Sequence, residues 1–223
     1  MKTLLVKDYR ILMTQKKSLF ILLIVGVIMV ISTFEIDFLT GYMMMMAMVL
    51  SLGTVNYDEL DNGMAFIMTL PANRKTYAIE KYVLTMVNIV ACAALMLIIY
   101  FITKGFINWQ FGAGDMVSIT AGWICGIMMA TSVMIPLYLK FSAEKRRVVM
   151  MLLWGIVAVV AIGGQKLAEV AADTEAINTI NEFIAMLGTL NPAVIIVAVV
   201  AVLAMAIIFS MAISIRIMHK KEF

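Results

Sequence analysis

The chain has 223 residues, of which 64% are apolar and only 14% charged, and its formal net charge is +3. Soluble domains average about 45–50% apolar and about 25% charged residues, so this composition excludes an ordinary aqueous globule. It also excludes a disordered chain, which needs low hydrophobicity and high charge.

Residues 1–17 read as an amphipathic helix lying at a membrane interface, with Leu4, Leu5, Ile11 and Leu12 toward lipid and Lys2, Lys7 and Arg10 toward headgroups. Six apolar runs follow, each near the about 20 residues that a bilayer-spanning helix needs. They are Leu19 to Phe34, Phe38 to Val55, Val83 to Thr103, Val117 to Leu139, Val148 to Gln165 and Ala193 to Ile215. The first two are joined by Glu35-Ile36-Asp37 alone and form a tight helical hairpin. The first run starts after 17 residues and has no small-residue cleavage site behind it, which argues against a signal peptide. The expected fold is therefore all-α, a polytopic membrane protein whose residues 18–223 form one six-helix transmembrane domain.

Lys and Arg in the loops set the orientation. Fifteen lie on one side, in the N-terminal segment, the loop after span two, the loop after span four and the tail. Only Lys104 and Lys166 lie on the other. Both termini are expected in the cytoplasm. The opposite loops are acidic, with Glu35, Asp37, Asp115, Glu169, Asp173, Glu175 and Glu182.

No Asp, Glu, Lys, Arg or His lies inside any span, which argues against a proton- or sodium-coupled carrier. An intramembrane hydrolase would need an acid–base pair or an activated nucleophile within reach. The single histidine, His219, sits in the tail beside Lys220 and Lys221. Cys92 and Cys125 lie in apolar runs and read as small apolar residues. Gly163-Gly164-Gln165-Lys166 does not have the spacing of a phosphate-binding loop. No catalytic residue, cofactor site or metal site is expected on this chain, and no nucleic-acid partner. If transport is ATP-driven, the motor is another polypeptide.

The stretch from Asn56 to Tyr82, NYDELDNGMAFIMTLPANRKTYAIEKY, is the most informative loop. Leu60, Met64, Ile67 and Met68 recur at helical spacing, with Asp58, Glu59, Asp61 and Asn62 on the polar side. The acidic residues suit the first turn of a helix, where the dipole favours them. Pro71 ends that helix because the residue before it is pushed toward an extended backbone. Asn73 can then cap the helix that carries Arg74 and Lys75 into span three. Interfacial helices that lie on lipid are usually basic on the polar side. An acidic one suits a protein partner better.

The series Tyr57-Asp58-Glu59, Asn62-Gly63 with Phe66, Leu70-Pro71 with Arg74-Lys75, and Glu80-Lys81-Tyr82 resembles the permease subunits of bacterial ABC-2-type exporters. The basic opening MKTLLVKDYRILMTQKKSLF matches that family as well. The chain is most similar to small Gram-positive permeases that include the phenol-soluble modulin exporters. The resemblance implies a bacterial cytoplasmic membrane. It implies a coupling helix at about Tyr57 to Leu70, docked on a separate ATPase that binds ATP and Mg²⁺. Two ATPase subunits would serve two permease chains, either a homodimer or a pair with a sister permease. Tyr57, Asp58, Glu59, Asp61, Asn62, Gly63, Phe66, Pro71, Arg74 and Lys75 are the expected coupling residues. Arg74 and Lys75 have a second reading as anchors to lipid phosphates.

The substrate class implied is an amphipathic or hydrophobic peptide, with lipid or toxin extrusion as the alternative and a non-transporting membrane scaffold as a reading of another class. Methionine is abundant, at 22 residues. It is flexible and suits promiscuous surfaces. Met44, Met48, Asn88, Met128, Thr131 and Ser132 are the candidate substrate-path residues, with helix packing as the competing reading. Gly122 and Gly126 form a G-x-x-x-G that suggests close helix packing. Pro136 suggests a kink in span four. Residues 166–190 suggest an outer-surface helix before Asn191-Pro192 opens span six.

Overall fold

The computed structural model describes residues 2–14, 20–21, 24–26, 28, 36–59, 63–64, 67, 73–106, 109, 111–170 and 192–221. Every regular element among them is helical: α1 (Lys2–Thr14), α2 (Ile36–Glu59), α3 (Arg74–Thr103), α4 (Ala113–Lys140), α5 (Ala143–Val170) and α6 (Pro192–Lys220). Four are long and apolar enough to cross a membrane, namely α2, α3, α4 and α6 from Val194 to Lys220. The run expected over Leu19 to Phe34 lies mostly outside the described residues, and those of it that are described are helical. The run beginning at Val148 falls inside α5. Most of the outer segment, residues 171–190, lies outside the described residues.

The chain forms two compact units, one of Met1–Lys140 with Ala206–Phe223, the other of Phe141–Met205. In the second unit, α5 starts with the Arg146 amide donating to the Ser142 carbonyl (2.9 Å) and the Arg146 guanidinium donating to the Phe141 carbonyl (2.8 Å). Val148, Met151, Leu152, Trp154, Ile156 and Val159 are exposed along it. An apolar surface of this kind suits lipid.

In the first unit α2 packs against both α3 and α4, α3 packs against α4, and α1 lies across α2 and α3. Lipid gives no hydrophobic drive for helices to meet, so close backbone approach and hydrogen bonds must hold them. Hydroxyls inside the helices donate to carbonyls one turn back: Thr40 to Ile36 (2.8 Å), Ser51 to Ala47 (2.7 Å) and Thr120 to Met116 (2.7 Å). Asn88 Nδ2 then donates across to Ser51 Oγ at 2.7 Å and ties α3 to α2. The Tyr82 hydroxyl shares hydrogen bonds with Ser210 Oγ (2.6 Å) and Ser214 Oγ (2.8 Å), tying α3 to the end of α6.

The glycine contact is not the one expected from Gly122 and Gly126, both of which face open space. The tightest among the described residues is Gly41 on α2, where a Cβ would stand 2.5 Å from the Trp123 ring of α4. The indole takes the space a side chain would need. Pro136 sits inside α4, which continues to Lys140. At the end of the unit away from the loop 60–72, Ile36, Met96, Tyr100 and Met116 form a buried cluster, flanked by Trp109. There the Tyr100 hydroxyl donates to the Phe111 carbonyl (2.8 Å). Asp115 accepts from the Gly112 amide (3.1 Å), as an acidic residue in a helix's first turn does when it reaches back to the cap.

Gly41→Ala is expected to lower the thermal unfolding midpoint of the detergent-solubilised protein through an overpacking cost of about 1–3 kcal/mol. Gly122→Ala is expected to stay within about 0.5 kcal/mol of the parent. Thermal unfolding followed by intrinsic fluorescence separates the two sites.

Candidate functional site

Helix α2 does not stop where its apolar run stops. It continues through Asn56, Tyr57 and Asp58 to Glu59, so the two acidic residues end one helix rather than open the next. Helix α3 begins at Arg74. Asn73 occupies the cap position with an extended backbone (φ −73°, ψ 139°), and its carbonyl accepts from the Tyr77 amide at 3.0 Å. The Asn73 side chain makes no capping bond, contrary to the expectation. Between these ends Gly63, Met64 and Ile67 are helical, and Met64 and Ile67 are buried, as their spacing predicts. Leu60, Asp61, Asn62, Phe66, Met68 and Pro71 lie outside the described residues.

Beneath this loop three helices meet at a buried ionic cluster. Asp8 and Glu80 are 0% exposed, Lys81 1% and Asp58 4%. The Lys81 ammonium donates to Asp8 Oδ2 on α1, and to Asp58 Oδ2 (2.9 Å) and Thr54 Oγ1 (3.0 Å) on α2. An ammonium has three donors, and all three are engaged. The ion also lies 4.9 Å from the centroid of the Tyr77 ring. Asp58 is equally committed, because Lys7 Nζ donates to its Oδ1 and the Tyr77 hydroxyl donates to its Oδ2 at 2.8 Å. Lys7 stands 3.0 Å from Asp8 Oδ1 as well.

Asp58 was expected to face a motor protein. It faces inward instead, because two ammonium groups and a phenol surround it. A related correction applies to α1. Leu4, expected toward lipid, is buried on the same face as Asp8 one turn on, and Lys7 reaches into the cluster rather than only to headgroups. Burial acts to raise the Asp8 carboxyl, but Lys81 and then Lys7 overcome it and hold it below the usual carboxylate range. Its charge therefore contributes stability that is full above the ordinary carboxylate range and is lost as pH falls from there through the lowered value.

The cluster sets three carboxyl groups, Asp8, Asp58 and Glu80, against two ammonium groups, Lys7 and Lys81. Glu80 is the excess. Its nearest ammonium is Lys81 at 3.7 Å, and neither of its buried oxygens receives a hydrogen bond.

Two further contacts fasten the same end of the unit. Arg74 Nη1 donates to the carbonyls of Met218 (3.2 Å), His219 (3.1 Å) and Lys221 (3.0 Å), closing the C-terminus of α6 where carbonyls lack partners. Lys221 Nζ donates to Glu59 Oε1 (3.2 Å) and to the Leu139 carbonyl (3.1 Å). Arg74 and Glu59, both expected at a motor or lipid surface, thus hold the chain's own helices. Tyr57 is 48% exposed, and Lys75 is exposed too.

The six candidate path residues lie on three helices, α2, α3 and α4. Met44 and Met48 are buried in the α2 packing, whereas Met45 beside them is exposed. Asn88 is engaged with Ser51. Thr131 and Ser132 donate to Ile127 (2.7 Å) and Met128 (3.0 Å) one turn back, and the Ser132 carbonyl accepts from Ser210 Oγ. These contacts are those of helix packing. Sequence reasoning did not foresee the cluster of Asp8, Tyr77, Glu80 and Lys81. One signal was available, since Asp8 is the sole acidic residue in the first 34.

Lys81→Met is expected to destabilise the solubilised protein strongly, by about 3–5 kcal/mol, because it leaves buried carboxylates without their shared cation. Glu80→Gln keeps the shape, removes the excess charge and supplies a donor, so it is expected to leave the unfolding midpoint unchanged or raise it. Thermal unfolding of the two variants side by side checks the sign of each.

A family model for ABC-2 family transporter proteins matches residues 3–219. Neither the curated proteins nor the solved structures include a chain that matches this one. With the family match covering nearly the whole length and four helices able to cross a bilayer, the chain belongs to the ABC-2 transporter family and is a membrane permease of an ABC transporter.

Proposed function

We propose that this permease serves an ATP-driven exporter of amphipathic or hydrophobic substrates, with peptides of the phenol-soluble modulin type as the leading class. In this reading it crosses a bacterial cytoplasmic membrane six times and keeps both termini in the cytoplasm, in line with fifteen basic residues on that side against two. It works as a homodimer or with a sister permease, and each permease engages an ATPase subunit that carries ATP and Mg²⁺.

The observation that carries the coupling reading is the fastening of the loop 60–72 at both ends. Asp58 anchors the end of α2 to α1 and α3, and Arg74 anchors the start of α3 to the end of α6. Met64 and Ile67 seat the loop's apolar side on the chain. In this reading a push from a docked partner passes through these two anchored ends to α1, α3 and α6. Closure of the ATPase pair would tilt the loop as a lever and shift the permease between two states that each partner contacts differently.

The docking surface then falls to side chains that the internal cluster leaves exposed, Tyr57 and Lys75, together with Asp61, Asn62 and Phe66 of the same loop. Tyr57→Ala combined with Lys75→Glu is expected to reduce copurification of the ATPase about ten-fold or more while membrane insertion stays intact. Unchanged copurification would count against the coupling helix. Turnover stimulated by amphipathic helical peptides in vesicles would favour peptide export. A copurifying ATPase indifferent to such peptides would move the substrate toward lipids or other toxins, and the absence of any ATPase would leave a scaffold.

A further inference from the structure

Between α1 and the first apolar turns of α3 lies a groove of about 420 Å³, lined by Leu5 and Val6 on one side and Val83, Leu84 and Val87 on the other. That is within the about 300–1,000 Å³ range of small-ligand sites. Tyr9 and Arg10 complete its rim, and Tyr9 is 56% exposed. Asn88 touches the groove, but its amide already donates to Ser51, so the interior offers an incoming molecule mainly hydrocarbon. We propose that this groove holds an acyl chain of an anionic phospholipid, with the phosphate received by Arg10 and the Tyr9 hydroxyl.

Three observations select this occupant. The groove lies where α3 changes from its charged start, Arg74 to Lys81, to its apolar run from Val83, a change of side-chain character that fits a headgroup boundary. The two basic side chains that flank it on α1 differ in state. Lys7 is engaged by Asp8 and Asp58, whereas among the described residues no hydrogen bond or ion pair engages Arg10. A guanidinium at that depth matches a phosphate by charge and by fork geometry. It repels a headgroup that carries its own ammonium, which favours phosphatidylglycerol over phosphatidylcholine. A lipid seated there would wedge α1 against α3 on the side opposite the ionic cluster, so that α1 is held by Lys81 from beneath and by lipid from the bilayer side.

The test uses the full chain in nanodiscs with phosphatidylglycerol or phosphatidylcholine that carries a photoreactive acyl chain, and locates the labelled peptides by mass spectrometry. The exposed apolar face of α6 from Val194 to Phe209 serves as a generic lipid contact. At the peptides that contain Leu5–Arg10 and Val83–Asn88, the ratio of phosphatidylglycerol to phosphatidylcholine labelling is expected to exceed that on α6 by about five-fold, the worth of one basic side chain at an anionic surface. Arg10→Gln, at an exposed position, is expected to bring the ratio down to the α6 value. Val87→Trp, which fills the groove, is expected to remove both labels there and leave α6 unaffected. A wild-type ratio equal to that on α6, or one that Arg10→Gln does not change, would overturn the proposal. Absence of any lipid label at the groove, with α6 labelled, would mean that a protein segment covers it and would overturn the proposal as well. Neither readout depends on the transported substrate or on the ATPase.

Discussion

The Lys81 ammonium is the constraint on which the loop end of this permease depends. It lies 1% exposed at the start of a membrane-crossing helix, where an unpaired charge would be prohibitive. Its three protons go to acceptors on two other helices, Asp8 on α1, and Thr54 and Asp58 on α2. None of the three helices can move without leaving a buried charge short of a partner. Such clusters add little net stability over an apolar packing of the same shape, but they are costly to break piecemeal. The cluster therefore acts chiefly on geometry: it fixes how α1, α2 and α3 stand relative to one another.

Much of the fold was legible in the sequence, because hydropathy over a length of about 20 residues reports the solvent a helix expects. The apolar runs at Phe38, Val83, Val117 and Ala193 all fall within helices able to cross a bilayer. The burial of Met64 and Ile67 followed from their spacing. The error came at the edge of a run. The apolar stretch of α2 ends at Val55, but backbone hydrogen bonding carries the helix on to Glu59, so Asp58 is rotated toward α1 and α3 and not toward a partner. Hydropathy marks where lipid contact ends, which is not where a helix ends.

The site was less legible because its contacts are remote in sequence and its members look ordinary one at a time. Lys81 and Asp8 are 73 positions apart, and Arg74 meets carbonyls about 145 positions away. Each basic residue enters the orientation count, yet the count says nothing of which ones are engaged. The glycines follow the same rule. Spacing marked Gly122 and Gly126, but contact is made where an indole from another helix takes up the missing side chain's volume, at Gly41.

The two ends of the loop are fastened to different neighbours, and this matters for how a docked motor could act. The α2 end is tied through Lys7 and Lys81 to α1 and α3, while the α3 start is tied through Arg74 to α6, whose tail returns through Lys221 to Glu59. The Arg74 contact is a charge against the negative end of a helix, held by three carbonyls at once. A loop hinged at one end would absorb a displacement by turning about that hinge. In the proposed coupling, one held at both ends would pass it to α1 and α6 together. Stiffness and recognition then fall to separate residues. The inward acids and Arg74 fasten the ends of the loop, and Tyr57 and Lys75 are left exposed, where the proposed motor would meet them.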